Sequence, residues 1–135
     1  MNSSEDISMF YVLLVDTNVN YREALADILC AYFPLIDVVE ASDCAEALRK
    51  VEYIRPNIIF MDIQLPDKNG LELIKEIKQN YVDIVIVILS NNKLSEYHQL
   101  AFRNGADCYI PKRQDSCMEE ILTRIERAMA NRTPN

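Results

Sequence analysis

The sequence predicts an α/β protein of the doubly wound kind, a single (βα)5 domain whose parallel sheet runs in the order 2-1-3-4-5. Two observations carry that prediction. Short apolar runs and stretches of helical period alternate from end to end, five of each, and the connections between them are only a few residues long. Continuously apolar strands are buried on both faces, and strand-helix-strand connections bring such strands side by side in parallel with helices over both faces. With 135 residues the chain is the size of one domain. At that length roughly 68% of the unfolded surface can be buried, so a core forms without staples.

Phe10 to Val15, read F-Y-V-L-L-V, is the first strand. A helix follows from about Tyr21 to Phe33, where Leu25, Ile28, Leu29 and Tyr32 recur at spacings of three and four, and Pro34 stops it. Asp37 to Ala41 is a shorter second strand. Asp43 and Glu46 have the spacing of a capping box for a helix running to about Ile54, and Pro56 closes that connection. Asn57 to Met61 is the third strand, and Leu71 to Gln79 is amphipathic through Leu73, Ile74 and Ile77, with Gly70 letting the loop turn into it. Ile84 to Leu89 is the fourth strand and Ser95 to Asn104 the fourth helix. Gly105 stands where a helix end calls for a positive φ, Asp107 to Ile110 is the fifth strand, and Ser116 to about Met129 is a closing helix with Ile121, Leu122 and Ile125 inward. Residues 1–9 are expected to be disordered or loosely attached, 10–130 to form the domain, and 131–135 to be a frayed tail.

Composition narrows the function classes. Neither G-x-G-x-x-G nor G-x-x-x-x-G-K-[ST] can be written with Gly70 and Gly105 alone, which removes dinucleotide enzymes and P-loop NTPases. The loop after the first strand, D-T-N-V-N, is a poor match for a flavin phosphate site. A net charge of −7 opposes a polyanion, so no direct nucleic-acid binding by this chain is expected. The longest apolar run, Ile84 to Leu89, is far too short for a membrane span, and the acidic start Met1 to Asp6 lacks the features of a secretion signal. Both point to a cytoplasmic protein. Cys30, Cys44, Cys108 and Cys117 are scattered, with no C-x-x-C pair and a single histidine, His98, so they read as reduced packing thiols.

In an open sheet of this order, chemistry collects beyond the carboxyl ends of the strands, in the crevice between strands one and three. The residues at those ends are Asp16 after the first strand, Asp62 after the third, Ser90 after the fourth and Lys112 just after the fifth. Two acids, a hydroxyl and an amine around one cleft fit phosphoryl transfer to a carboxylate. Asp62 is the nucleophile, and Asp16 with a backbone carbonyl near Gln64 can hold a magnesium ion. Lys112 supplies fixed positive charge, and Ser90 can hydrogen-bond the incoming group. Each residue taken singly also has a structural explanation: either Asp or Ser90 can cap the following helix, and Lys112 can be a solvated charge.

The segments L-L-V-D-T-N-V-N-Y-R-E-A-L, I-I-F-M-D-I-Q-L-P-D-K-N-G-L-E-L-I, I-L-S-N-N and A-F-R-N-G-A-D-C-Y-I-P-K resemble, as a set, the receiver domain of two-component response regulators. The resemblance covers nearly the whole chain and is greatest to receivers of the LuxR-type DNA-binding subfamily. It implies a flavodoxin-like fold and a phosphorylation-operated switch. By position it makes Asp62 the phosphoacceptor, Asp16 the first of the family's acidic pair, and Gln64 the residue lending its carbonyl to the metal. Ser90 resembles the switch hydroxyl, Tyr109 the switch aromatic and Lys112 the family lysine. The implied partners are a sensor histidine kinase or phosphotransfer protein upstream and an effector protein, or an output domain beyond this chain, downstream. A homodimer through the last helices is also compatible.

One position departs from the pattern. The family's second acid is Thr17 here, so Asp16, Asp62 and Lys112 sum to −1 where the usual set gives −2. A threonine hydroxyl is a weak or absent magnesium ligand, and Mg2+ binding is expected to be weaker than usual for the family. The competing reading is a pseudo-receiver adaptor that signals by protein contact without phosphorylation. A phosphatase of the haloacid dehalogenase type would want an acid two residues after the nucleophile, where Gln64 stands, so no turnover enzyme is expected.

Overall fold

In a computed structural model of the chain, the described residues are 9–91 and 95–131. The loose start expected at residues 1–9 and the frayed tail expected at 131–135 lie outside them except for Met9 and Asn131, and Asn131 is the last residue of α5. The elements run β1 (Phe10–Val15), α1 (Val19–Tyr32), β2 (Ile36–Ala41), α2 (Cys44–Ile54), β3 (Ile58–Met61), α3 (Gly70–Asn80), β4 (Val85–Ser90), α4 (Ser95–Asn104), β5 (Cys108–Pro111) and α5 (Cys117–Asn131). All four strand pairings are parallel and the order is β2-β1-β3-β4-β5, as the sequence predicts.

The apolar runs are continuous because the sheet separates two cores. Alternate residues of a strand point to opposite faces. Leu13 and Val15 of β1, Ile59 and Met61 of β3, and Ile86 and Ile88 of β4 pack with α2, α3 and Ala101 of α4. Phe10, Val12 and Leu14, with Ile58, Phe60, Val87 and Leu89, pack on the other face under Leu25, Ala26 and Leu29 of α1 and Ile121 and Ile125 of α5. One expectation needs correcting. Ile28 is 38% and Tyr32 63% exposed, so the buried stripe of α1 runs instead through Leu25, Ala26 and Leu29. Spacings of three and four permit two neighbouring stripes, and the small Ala26 lets α1 lie close to the sheet on its own side.

Helix ends are set by local chemistry. Asn18 caps α1 by accepting from the Tyr21 amide, and Asp43 caps α2 by accepting from the Glu46 amide. Glu46 closes its half of the box one residue early, accepting from the Ser42 amide at 2.8 Å. Asp67, in the loop after β3, accepts from the Cys44 and Ala45 amides at 2.9 and 3.1 Å and so ties that loop to the start of α2. Gly105 has φ +117°, the left-handed end that α4 requires.

Gly70 is required for close approach and not for a positive φ. A Cβ there would lie 2.6 Å from the Ile63 carbonyl oxygen and 2.8 Å from the Ile63 Cα, both backbone atoms. Gly70→Ala should therefore push the loop after Asp62 outward and lower stability by about 2 kcal/mol, measured as a shift in urea midpoint at constant slope. A midpoint equal to that of the parent chain would contradict this close packing.

Candidate functional site

Four strand ends meet at one rim, and the loops after β1 and β3 aim its acids in the same way. Asp16 Oδ1 accepts from the Asn18 amide at 2.9 Å, and Asp62 Oδ1 accepts from the Gln64 amide at 3.1 Å. Both are side-chain-to-backbone turns two residues long, a habit of aspartate that needs no distant partner. Each acid is left with Oδ2 to face the cleft, and there both meet the same group. Lys112 Nζ ion-pairs with Asp16 Oδ2 and, at 3.1 Å, with Asp62 Oδ2.

The triad is largely withdrawn from water: the Asp16, Lys112 and Asp62 side chains are 8%, 11% and 18% exposed. Burial alone would lower the Lys112 ammonium, but its hydrogen bond to Asp16 and the charges of Asp62 and Asp16 outweigh that and hold it above the ordinary lysine value. A raised folded-state value stabilises the fold fully below the free lysine range, hence at neutral pH, and is lost only as pH climbs through the folded value. Two carboxylates and one ammonium leave the rim at −1.

The other predicted residues surround this triad. Ser90 ends β4, is 1% exposed, and is hydrogen-bonded to the side chain of Tyr109 on β5; its carbonyl accepts from the Lys112 amide at 3.1 Å. Burial raises the Tyr109 hydroxyl, Ser90 counteracts, and the charge of Asp62 adds to the rise. Thr17 is exposed beside Asp16, and Gln64 is exposed two residues beyond Asp62. Among the described residues no three His, Cys, Asp or Glu side chains gather at one point.

Sequence reasoning passed over four side chains at or beside this rim. The Tyr21 ring lies against Lys112, with the ammonium 4.7 Å from its centroid. Arg22 donates to the Asp16 carbonyl and pairs with Glu40 at 2.8 Å, binding the loop after β1 to β2. Cys117, at the start of α5, lies beside the Tyr21 hydroxyl. His98 stacks on Tyr109 with centroids 3.6 Å apart, its Nε2 buried without a hydrogen-bond partner. The signal for Tyr21 was present: Tyr21, Leu25 and Leu29 continue one stripe at steps of four, and its upper end points to the rim. No comparable signal marked His98 or Cys117, which are brought in by other elements.

The cysteines behave as packing groups. Cys44, Cys108 and Cys117 are buried, and burial pushes all three thiols up, Cys44 to about 12 with the charge of Asp67 adding to it. Among the described residues no helix is long and apolar enough to cross a membrane.

Comparison with known proteins shows the family. A family profile described as the response regulator receiver domain matches residues 12–126. The transcriptional regulatory protein DegU of Brevibacillus brevis is 30% identical over 117 residues, covering 86% of this chain and 49% of that protein. The DNA-binding transcriptional activator DevR/DosR of Mycobacterium tuberculosis is 37% identical over 105 residues, covering 77% of this chain and 48% of that one. The chain thus spans about half the length of these relatives. Among solved structures, a two-component response regulator of the LuxR family from Aurantimonas sp. SI85-9A1 superposes with a TM-score of 0.81 at 30% identity, covering 93% of this chain and 88% of that one.

Proposed function

Because this chain belongs to the response regulator receiver domain family, we propose that residues 10–130 act as a phosphorylation-operated switch with Asp62 as phosphoacceptor. A sensor histidine kinase or phosphotransfer protein is the donor. An Asp62 carboxylate oxygen attacks phosphorus, the bond from phosphorus to the donor nitrogen breaks, and an acyl phosphate forms on Asp62. The observation that carries this reading is the pair of ion contacts from Lys112 to Asp16 and Asp62. They hold the acceptor still at a rim where strand ends meet and keep a positive charge beside the place where phosphoryl oxygens would arrive. Ser90, buried and joined to Tyr109, is the hydroxyl that would turn toward the new group. Tyr109 carries that change to the face of α4.

Receiver domains generally take Mg2+ at this position. The residues suit a cation, since two carboxylates already converge on one, the Lys112 ammonium. Asp16, Asp62 and the Gln64 carbonyl are the hard oxygens that would hold the metal, whose charge offsets repulsion between carboxylate and phosphoryl oxygens when it is bound. Thr17 adds no charge, so we assign weaker Mg2+ binding than the family norm. Thr17→Asp takes the rim from −1 to −2 and should tighten Mg2+ binding about tenfold by titration calorimetry. An unchanged dissociation constant would remove Thr17 as the cause.

The reading gives this chain one acceptance event and no turnover, in the cytoplasm, with an effector protein or an output domain beyond this chain downstream, and with a homodimer as an optional state. It gives the chain no nucleic-acid surface or membrane contact of its own. A second reading, a pseudo-receiver adaptor working by contact alone, is favoured by one feature, Thr17 in place of the second acid. One experiment separates the two. Incubation with Mg2+ and acetyl phosphate, followed by intact mass, should show a gain of one phosphoryl group. No gain at any Mg2+ concentration would favour the adaptor.

A further inference from the structure

We propose that Tyr21 is a positioning residue for the rim: its ring face holds the Lys112 ammonium against Asp16 and Asp62. The inference rests on the reading of Asp62 as acceptor for its kinetic consequence, though not for its geometry. Lysine is a compact charge on a flexible stem with many rotamers, and attraction to two carboxylates fixes only the side of the ammonium that donates. Its other side lies over the Tyr21 ring, 4.7 Å from the centroid, where the negative face of the ring attracts a cation and displaces the water that would otherwise draw it out. The hydroxyl end of the ring lies beside Cys117 at the start of α5.

The backbone places this ring through the acids themselves. Asp16 Oδ1 holds the Asn18 amide at 2.9 Å, Asn18 Oδ1 holds the Tyr21 amide at 3.0 Å, Tyr21 covers Lys112, and Lys112 returns to Asp16. The circuit is closed within one turn of α1 and one residue after β5. A tyrosine that merely filled the upper end of the α1 stripe would have no reason to face an ammonium. Any apolar side chain of similar size would then serve as well.

The test compares Tyr21→Phe, which keeps the ring and loses the hydroxyl, with Tyr21→Leu, which loses both, in the full chain. A methylene next to an ammonium over an aromatic face is shifted upfield in its proton resonance. The Lys112 ε-methylene should show that shift in the parent chain and in Tyr21→Phe and return to the free lysine position in Tyr21→Leu. Phosphorylation by acetyl phosphate should fall roughly tenfold in Tyr21→Leu and stay within about threefold in Tyr21→Phe. Should Tyr21→Leu fail to fold, Tyr21→Met takes its place. Loss of fold in both ring-free variants would assign Tyr21 to the core and overturn the proposal. So would an ε-methylene shift indifferent to the ring, or equal rate losses in the Phe and Leu variants. If the parent chain accepts no phosphoryl group, the acceptor reading fails, and the resonance alone decides the role of Tyr21.

Discussion

Asp62→Asn will take up no phosphoryl group from acetyl phosphate while keeping the fold of the parent chain. The amide is nearly the same shape, and its oxygen can still accept from the Gln64 amide as Asp62 Oδ1 does. What it lacks is the charge and nucleophilicity of a carboxylate, so the bond to phosphorus does not form. The loss of the ion pair with Lys112 is offset because Lys112 keeps Asp16. Thermal or urea unfolding should therefore move by no more than about 1 kcal/mol, since one charge of a buried set is removed and its partner is not orphaned. The rim also passes from −1 to neutral, and Mg2+ affinity should fall with it. A mass gain in Asp62→Asn equal to that of the parent chain would place the acceptor elsewhere.

Lys112→Met should have the second largest effect, and its consequences run in opposite directions. Methionine fills much the same volume but leaves Asp16 and Asp62 facing one cleft with no cation between them. Breaking a buried pair costs about 3–5 kcal/mol; with Asp62 18% exposed, about 2–3 kcal/mol is expected here in the absence of metal. Acceptance should slow on the order of 100-fold, the scale of loss when one preorganised donor facing a developing anion is removed. Mg2+ binding, in contrast, should tighten, because two carboxylates no longer share a resident ammonium. The signature is a midpoint of unfolding that rises with Mg2+ more steeply in the variant than in the parent. A variant that is neither slowed nor made more Mg2+-dependent would show that Lys112 does not bridge the acids in solution.

The fold was legible because it is written in short-range periods. Five apolar runs and five helical stretches, with Pro34, Pro56 and Gly105 between them, leave little freedom for a parallel sheet, and element ends differed from expectation by only a residue or two. The predicted rim residues were legible for the same reason: the end of a buried strand can be counted, and Asp16, Asp62, Ser90 and Lys112 all stand at one. What could not be read was which side chains meet across elements. Lys112 and Asp62 are fifty positions apart, and only the register of β3, β4 and β5 decides that they touch. Tyr21, Cys117 and His98 are brought in by helix packing. Ile28 and Tyr32 were misjudged because helical spacing gives a stripe without saying where its edge lies, and the size of Ala26 settled that.

The sheet acts as a watershed. Its backbone hydrogen bonds form a wall between two apolar compartments whose side chains do not mingle. The rim lies on the crest. On one slope Ser90 leads to Tyr109 and to His98 of α4; on the other Lys112 leads to Tyr21 of α1 and Cys117 of α5. Under the proposed function, a change of charge at Asp62 would reach two separate packings at once. A protein gripping α1 and α5 and another gripping α4 would each meet their own version of the event, with no side chain common to both.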